Sequence, residues 1–287
     1  MACNSGIREV RNCVTINQLM HIEEKFIHFL HSLQQHRKKK HGKHTKVHES
    51  DNRSAHELFQ TSTINALLNG VYDGDMNYGQ LREHGDFGIG TFNSLDGEMI
   101  AFDGMFYQIR SDGFAYPVDD KQMTPFAIVQ FFEPDFNKAL EQEMDYEQLK
   151  NYLHGMLPTM IFFYAIRIDG IFKYVKTRSV PRQKKPYMPL VEVAKVQPVF
   201  EFFDIKGTLV GFRFPDYTQG LNVPGYHLHF ITEDRKAGGH LLDCRIQEGM
   251  LTAEHTSNFH MELPEEGDFL NTDLSKDRQE EIHRVEE

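Results

Sequence analysis

"YHLHFITEDRKAGGHLLDCRI", residues 226–246, reads as two strands folded about a turn. Its first half sets His227, Leu228, His229 and Phe230 in alternation, and a polar run then leads to the pair Gly238 and Gly239. Side chains on a strand point alternately to opposite faces. His227 and His229 therefore share a face, roughly 7 Å apart along the strand. The two glycines permit a close backbone approach, and the return strand opens on His240, which a hairpin brings opposite the first pair.

The same strand-and-turn pattern recurs on both sides of this hairpin. "VFEFFDIKG" (199–207), "GTLVGFRFP" (207–215) and "FHMELP" (259–264) read as further strands. Upstream, "DFGIGTF", "GEMIAFDG", "MFYQIRSDG" and "TPFAIVQFF" alternate or run apolar between Gly and Asp punctuation. "MIFFYAIRIDGIFKYVKTRSV" (160–180) predicts a hairpin turning at Asp169-Gly170. Three stretches read as short helices. They are "STINALLNG", capped by Ser62 or Thr61 and closed by Gly70, "MNYGQLREHG", closed by Gly85, and "YEQLKNYLHGML".

Strands and helices do not alternate regularly. The expected class is α+β, two domains built on mixed, antiparallel-rich β-sheets with a few short helices. "SVPRQKKPYMP" (179–189) is the preferred boundary. It divides the chain into a basic, flexible N-terminal extension (1–55), an N-terminal α+β sheet domain (56–180) and a C-terminal β-rich, metal-binding domain (181–287). No GxGxxG opens a helix, so a dinucleotide fold is unsupported.

Composition narrows the function classes. A chain of 287 residues can bury a substantial core, and no apolar run approaches the ~20 residues of a membrane span. Cys3, Cys13 and Cys244 form no CxxC pair. That usage suits a reducing compartment and argues against a disulfide framework or a thiolate metal site. The first residues lack a charged segment followed by an apolar one, so a cytoplasmic location is expected.

Residues 1–56 carry 10 Lys and Arg against 5 Asp and Glu, whereas the whole chain has a formal net charge of −11. The acidic body makes nucleic acid an improbable partner. Within the extension, Ile16, Leu19, Met20, Phe26, Ile27, Leu30 and Leu33 suggest an amphipathic helix, followed by the solvated run "HRKKKHGKHTKVHES". Its histidines are irregularly spaced and predict no defined metal site.

Three histidines with no fourth His or Cys nearby make the open pattern of a catalytic zinc-type site, in which water or substrate completes the shell. The donor set alone does not select zinc over other divalent metals. His255 and His260 are alternative ligands; His240 is preferred because the hairpin constrains it directly. "HLHFITE" also resembles the cupin pattern of HxH followed by Glu, although no second motif supplies the later histidine.

The stretch "LNVPGYHLHFITEDRKAGGH" resembles the metal-site segment of the acetolactate decarboxylases. "STINALLNGVYDGD", "GDFGIGTFNSLDGEMIAFDGMFYQI", "YAIRIDGIFKYVKTRSVPRQ", "GTLVGFRFPDY" and "LPEEGDFLNTDLS" resemble family segments in the family's order, covering residues 59–287. The resemblance implies a two-domain α+β fold, a homodimer formed through the N-terminal sheets, and zinc on His227, His229 and His240. It also points to Glu98 in "LDGEM", Arg178 in "KTRSVP", and Glu286 or its neighbour Glu287 in "EEIHRVEE". Thr91 would line the pocket.

The implied activity is metal-dependent decarboxylation of 2-acetolactate to acetoin and CO2 without an organic cofactor. Its carboxylate lies β to a ketone, so a Lewis acid can serve as the electron sink. Arg178 would hold the carboxylate or a developing oxyanion, with Glu98 and Glu286 as candidates for general acid/base work. Two other readings compete: a cupin-type oxygenase or isomerase, and a non-catalytic module whose histidines hold zinc in a closed shell.

Overall fold

The structure, a computed structural model, describes residues 56–286. The helix and solvated run expected within residues 1–55 lie outside the described residues. In chain order, the elements begin with β1 (Glu57–Thr61), α1 (Ile64–Leu68), β2 (Met76–Asn77), α2 (Tyr78–Arg82), β3 (Phe87–Thr91), β4 (Glu98–Phe102) and β5 (Met105–Ile109). They continue with β6 (Ala115–Pro117), β7 (Met123–Thr124), β8 (Ala127–Gln130), β9 (Phe136–Leu140), β10 (Met144–Asp145) and α3 (Tyr146–Met156). The remainder are β11 (Phe163–Arg178), α4 (Leu190–Ala194), β12 (Val199–Phe214), β13 (Gly225–Thr232), β14 (Gly238–Thr256), β15 (Asn258–Glu262) and α5 (Gln279–Glu286). The class is α+β. Among the described residues, no helix is long and apolar enough to cross a membrane.

One sheet has seven strands in the order β15-β1-β8-β3-β4-β5-β6, and a second follows β10-β14-β11-β12-β13 with β9 also on β14. Sheet membership does not follow chain order. β15 joins the first sheet by pairing parallel to β1, and β11, which ends just before the proline-bearing connection, belongs to the second. The second sheet closes on itself, because β13 pairs with β12 on one side and with the start of β14 on the other.

Alternation along the strands sorts side chains into three apolar layers. Ile100 and Phe102 of β4, Phe163 and Ala165 of β11, and Ile231 of β13 fill the layer shared by the two sheets. Leu228 and Phe230 of β13 face the other way and pack with Leu149 and Leu153 of α3. Met99 and Ala101 pack on the outer face of the first sheet with Leu81 of α2.

The helices start where polar side chains cap them. Asn77 and Asp145 each form a capping box, with Gln80 and Gln148 three residues on. For α1 the expected cap is corrected. Thr63 takes the extended conformation and accepts from Ala66 N at 3.2 Å, whereas Ser62 has a φ of +64°.

The hairpin expected at Asp169-Gly170 is also corrected, since β11 runs straight through for 16 residues. Gly170 pairs with Gly207 of β12 and Gly249 of β14, making a row of three glycines across three strands. A Cβ at Gly170 would sit 2.7 Å from Glu248 O. Close strand approach, not a turn, therefore explains this glycine. For the same reason Gly207 lies inside β12 rather than between two strands.

Gly238 and Gly239 close the second sheet. A Cβ on Gly238 would lie 2.1 Å from Phe230 O on β13, and one on Gly239, at φ +146°, would lie 2.3 Å from Arg178 O on β11. Gly239→Ala is expected to cost about 2–4 kcal/mol in chemical unfolding, from backbone strain plus overpacking. Gly155→Ala, in α3 with nothing among the described residues within 4 Å of the new Cβ, should instead gain about 0.5–1 kcal/mol.

Candidate active site

The site lies where the two sheets face each other. His227, His229 and Ile231 share one face of β13, and Ile231 faces the layer between the sheets. Glu98 shares a face of β4 with Ile100 and Phe102, which look into the same layer from the other side. Arg178 pairs with His240, and His240 pairs with His229, so one row crosses β11, β14 and β13. A register irregularity in β11 matters here. Phe172 and Val175 pack in the same layer although their positions differ in parity, so the faces exchange between them. That exchange turns Arg178 toward Glu98.

The three imidazole rings are 5.0–5.3 Å apart, and one donor nitrogen from each lies within 4.8 Å of the others. All three are buried. His229 Nδ1 lies 2.9 Å from Met99 O on β4, which fixes Nδ1 as the protonated nitrogen and leaves Nε2 to face the trio. Among the described residues, His229 Nε2, His227 Nδ1 and His240 Nδ1 have no hydrogen-bond partner. Burial is the main reason all three titrate below the usual histidine range, with His227 near a pKa of about 3, and the Arg178 charge adds to it. Neutral, buried imidazoles with unpartnered nitrogens are what a borderline divalent ion requires. The trio could hold one.

Beside the histidines, Arg178 Nη1 donates to Glu98 Oε1 at 2.6 Å. Its Nη2 donates to Val285 O at 3.2 Å and lies 3.8 Å from Glu286 Oε1. Glu286 Oε2 lies 3.4 Å from His227 Nε2 and 3.6 Å from His240 Nε2. Burial lifts both carboxyls to a pKa of about 7; Arg178 pulls each down, and for Glu98 the neighbouring Glu286 pushes it up. An arginine forking between two such carboxyls can hold an anion while either carboxyl exchanges a proton.

His227, His229, His240, Glu98, Arg178, Glu286 and Thr91 meet at this site, whereas Glu287 lies outside the described residues. Thr91 lines the cavity, but its hydroxyl donates to Gly97 O at 2.7 Å and is spoken for. His255 sits apart from the trio, bonded to Asp135, and His260 is half-exposed beside Glu262. Sequence reasoning missed the Met99 carbonyl, because a backbone acceptor carries no residue-type signal. It also missed the apolar wall of Ile64, Leu67, Leu95, Phe126, Val180 and Leu190. Those residues come from distant segments that only folding assembles.

Comparison with known proteins places the chain in a family. The sequence model of the family described as alpha-acetolactate decarboxylase matches residues 58–276. The alpha-acetolactate decarboxylase of Methanosarcina mazei is 52% identical over 240 residues, 84% of this chain and 83% of its own. That of Methylococcus capsulatus is 52% identical over 231 residues, 80% of this chain and 89% of its own. The crystal structure of the Bacillus subtilis strain 168 protein superposes with a TM-score of 0.79 at 46% identity, covering 80% of this chain and 99% of that one. The chain belongs to the alpha-acetolactate decarboxylase family and is a carboxy-lyase. Glu286 lies beyond the matched residues.

Both raised carboxyls bind a proton more tightly in the folded than in the unfolded chain. In metal-free protein their contribution to stability is thus full below about pH 4.5 and is lost as pH rises through about 7. Glu98→Gln removes one of them. In chelator-treated samples, the unfolding free energy of Glu98→Gln relative to the parent should rise by about 1–3 kcal/mol between pH 5 and pH 8.

Proposed function

We propose that the chain is a zinc-dependent decarboxylase that converts 2-acetolactate to acetoin and carbon dioxide, with His227, His229 and His240 as the metal ligands. The observation that carries this reading is the buried meeting of three neutral imidazoles with two carboxyls that share one guanidinium. A divalent Lewis acid bound there supplies the electron sink that loss of CO2 from a β-keto acid needs.

The chain's own residues have two tasks. One is to hold the carboxylate and the negative charge that develops as carbon dioxide leaves, and the planar fork of Arg178 suits it. The other is to deliver one proton to a single face of the resulting carbanion, which makes a chiral product. A carboxyl with a pKa of about 7 is partly protonated at neutral pH and suits that task. In this reading Glu98 is the donor, because β4 and the 2.6 Å bond from Arg178 both hold it, whereas Glu286 rides on α5. Thr91 shapes the pocket wall.

The cavity beside the histidines is small, about 30 Å³, and Glu286 of α5 is part of its lining. Assembly as a homodimer through the seven-stranded sheet and a cytoplasmic location complete the reading. Family resemblance supports the first, and the sparse cysteine usage, three in the chain with no CxxC, the second. The cupin-type reading is not favoured, since Glu233, which completes the cupin-like run, is exposed at the turn after β13.

Acetoin formation from 2-acetolactate tests the reading on Zn2+-loaded protein, chelated protein and His227→Ala. Only the first should be active, and equal rates in all three would overturn the metal's role. Glu98→Gln should lose about 10²–10⁴-fold in kcat with zinc still bound, and more than Glu286→Gln loses. Full turnover by Glu98→Gln would remove it as the proton donor.

A further inference from the structure

The two carboxyls of the centre are held in different ways. Glu98 accepts a 2.6 Å hydrogen bond from Arg178. Glu286 has looser contacts: 3.8 Å from Oε1 to Arg178 Nη2, and 3.4 and 3.6 Å from Oε2 to His227 Nε2 and His240 Nε2. Among the described residues its buried Oε2 has no hydrogen-bond partner. The Glu286 carboxyl is therefore placed by the backbone that carries it rather than by strong bonds of its own. That backbone is α5, eight residues long, and a helix of about two turns has little stability apart from its surroundings. Whatever fixes α5 fixes Glu286.

Three sets of contacts hold the helix. Ile282 and Val285 pack in the layer between the sheets. At the C-terminal end, Arg178 Nη2 donates to Val285 O at 3.2 Å. At the other end stands a second arginine. Arg278 immediately precedes α5, and its carbonyl accepts the first helical bonds, from Glu281 N and Ile282 N, each at 3.0 Å. Its guanidinium divides between two elements. Nη1 donates to Glu281 Oε2 at 2.8 Å, and Nη2 donates to Asn69 Oδ1 at the C-terminal end of α1. Asn65, one turn earlier on the same face of α1, donates from Nδ2 to Leu274 O at 3.4 Å and to Lys276 O at 3.3 Å. Ile64 and Leu67 of the same short helix line the active-site cavity. One side of α1 thus walls the cavity while another anchors the segment that leads into α5.

We propose that Arg278 is a positioning residue for Glu286, an inference that rests on Glu286 taking part in the reaction. Bonded to Asn69, Arg278 fixes where α5 begins. The helix carries that placement to Glu286, about 12 Å further on at 1.5 Å per residue. Misplacing a reacting group by about 1 Å can cost about 10²-fold in rate, so an anchor this far from the chemistry can govern turnover.

The test is a double-mutant cycle on full-length, Zn2+-loaded protein with matched zinc content. The parent, Arg278→Met, Glu286→Gln and the double variant are assayed for kcat on 2-acetolactate. Glu286→Gln should lose about 10²-fold. Arg278→Met should lose about tenfold or more in the parent, yet change kcat by less than about twofold in the Glu286→Gln background. Arg278→Lys keeps one donor for Asn69 and should show an intermediate loss. Apart from activity, amide hydrogen exchange across residues 279–286 should quicken in Arg278→Met while β13 keeps its protection. An equal loss from Arg278→Met in both backgrounds overturns the proposal, because an effect through general stability or through the α1 wall does not need Glu286. So does an unchanged kcat, or unchanged exchange in α5, in Arg278→Met. Full turnover by Glu286→Gln removes Glu286 from the reaction and the proposal with it. Circular dichroism establishes folding. Should Arg278→Met not fold, Arg278→Lys takes its place in the cycle, and a loss that persists with Glu286→Gln, or no loss at all, overturns the proposal.

Discussion

The buried ion pair between Arg178 and Glu98 is the contact on which the site depends. Arg178 ends β11, Glu98 opens β4, and the two strands belong to different sheets. Both side chains are almost wholly buried. Removing one partner of such a pair typically costs about 3–5 kcal/mol, because the other charge is stranded away from water. The same guanidinium also takes the Val285 carbonyl and approaches Glu286. One side chain thus ties two sheets and the C-terminal helix together at the point where the carboxyls must stay aligned. A lysine could not do this, having no planar fork to divide between three acceptors.

Around that pair the electrostatics divide the work. Burial drives the three histidines toward the neutral form and raises both carboxyls to a pKa of about 7, so Glu98 and Glu286 titrate beside the fixed charge of Arg178. A centre of this kind accepts a cation on its imidazole side and an anion on its guanidinium side. The Met99 carbonyl fixes the tautomer of His229 before any ligand arrives, and this reduces the reorganisation that binding requires.

Much of the site was legible because its signals are local. The alternation at His227 and His229 and the glycines before His240 specify a hairpin with three imidazoles on one face, and the register aligns His229 with His240 as expected. Capping boxes at Asn77 and Asp145 are likewise written in four residues each. The misreadings at Gly170 and Gly207 share one cause. Asp169-Gly170 has the composition of a turn, yet both edges of β11 are occupied there, and glycine serves to let Gly207 and Gly249 come close. A turn and a close strand crossing ask for the same residue, and only the neighbouring strands tell them apart.

By itself, the sequence determined the hairpin, the class of fold, the shared face of His227 and His229, and, by its resemblance to a family, the other residues of the centre. These follow from period-two geometry and turn chemistry, which act over a few residues. Only the tertiary structure decided that β11 changes face between Phe172 and Val175 and so turns Arg178 inward. It alone brought Glu286 across from α5, and it alone set Arg278 against Asn69. Those outcomes depend on how strands from different parts of the chain register and pack, and no short window of sequence contains both partners of such a contact.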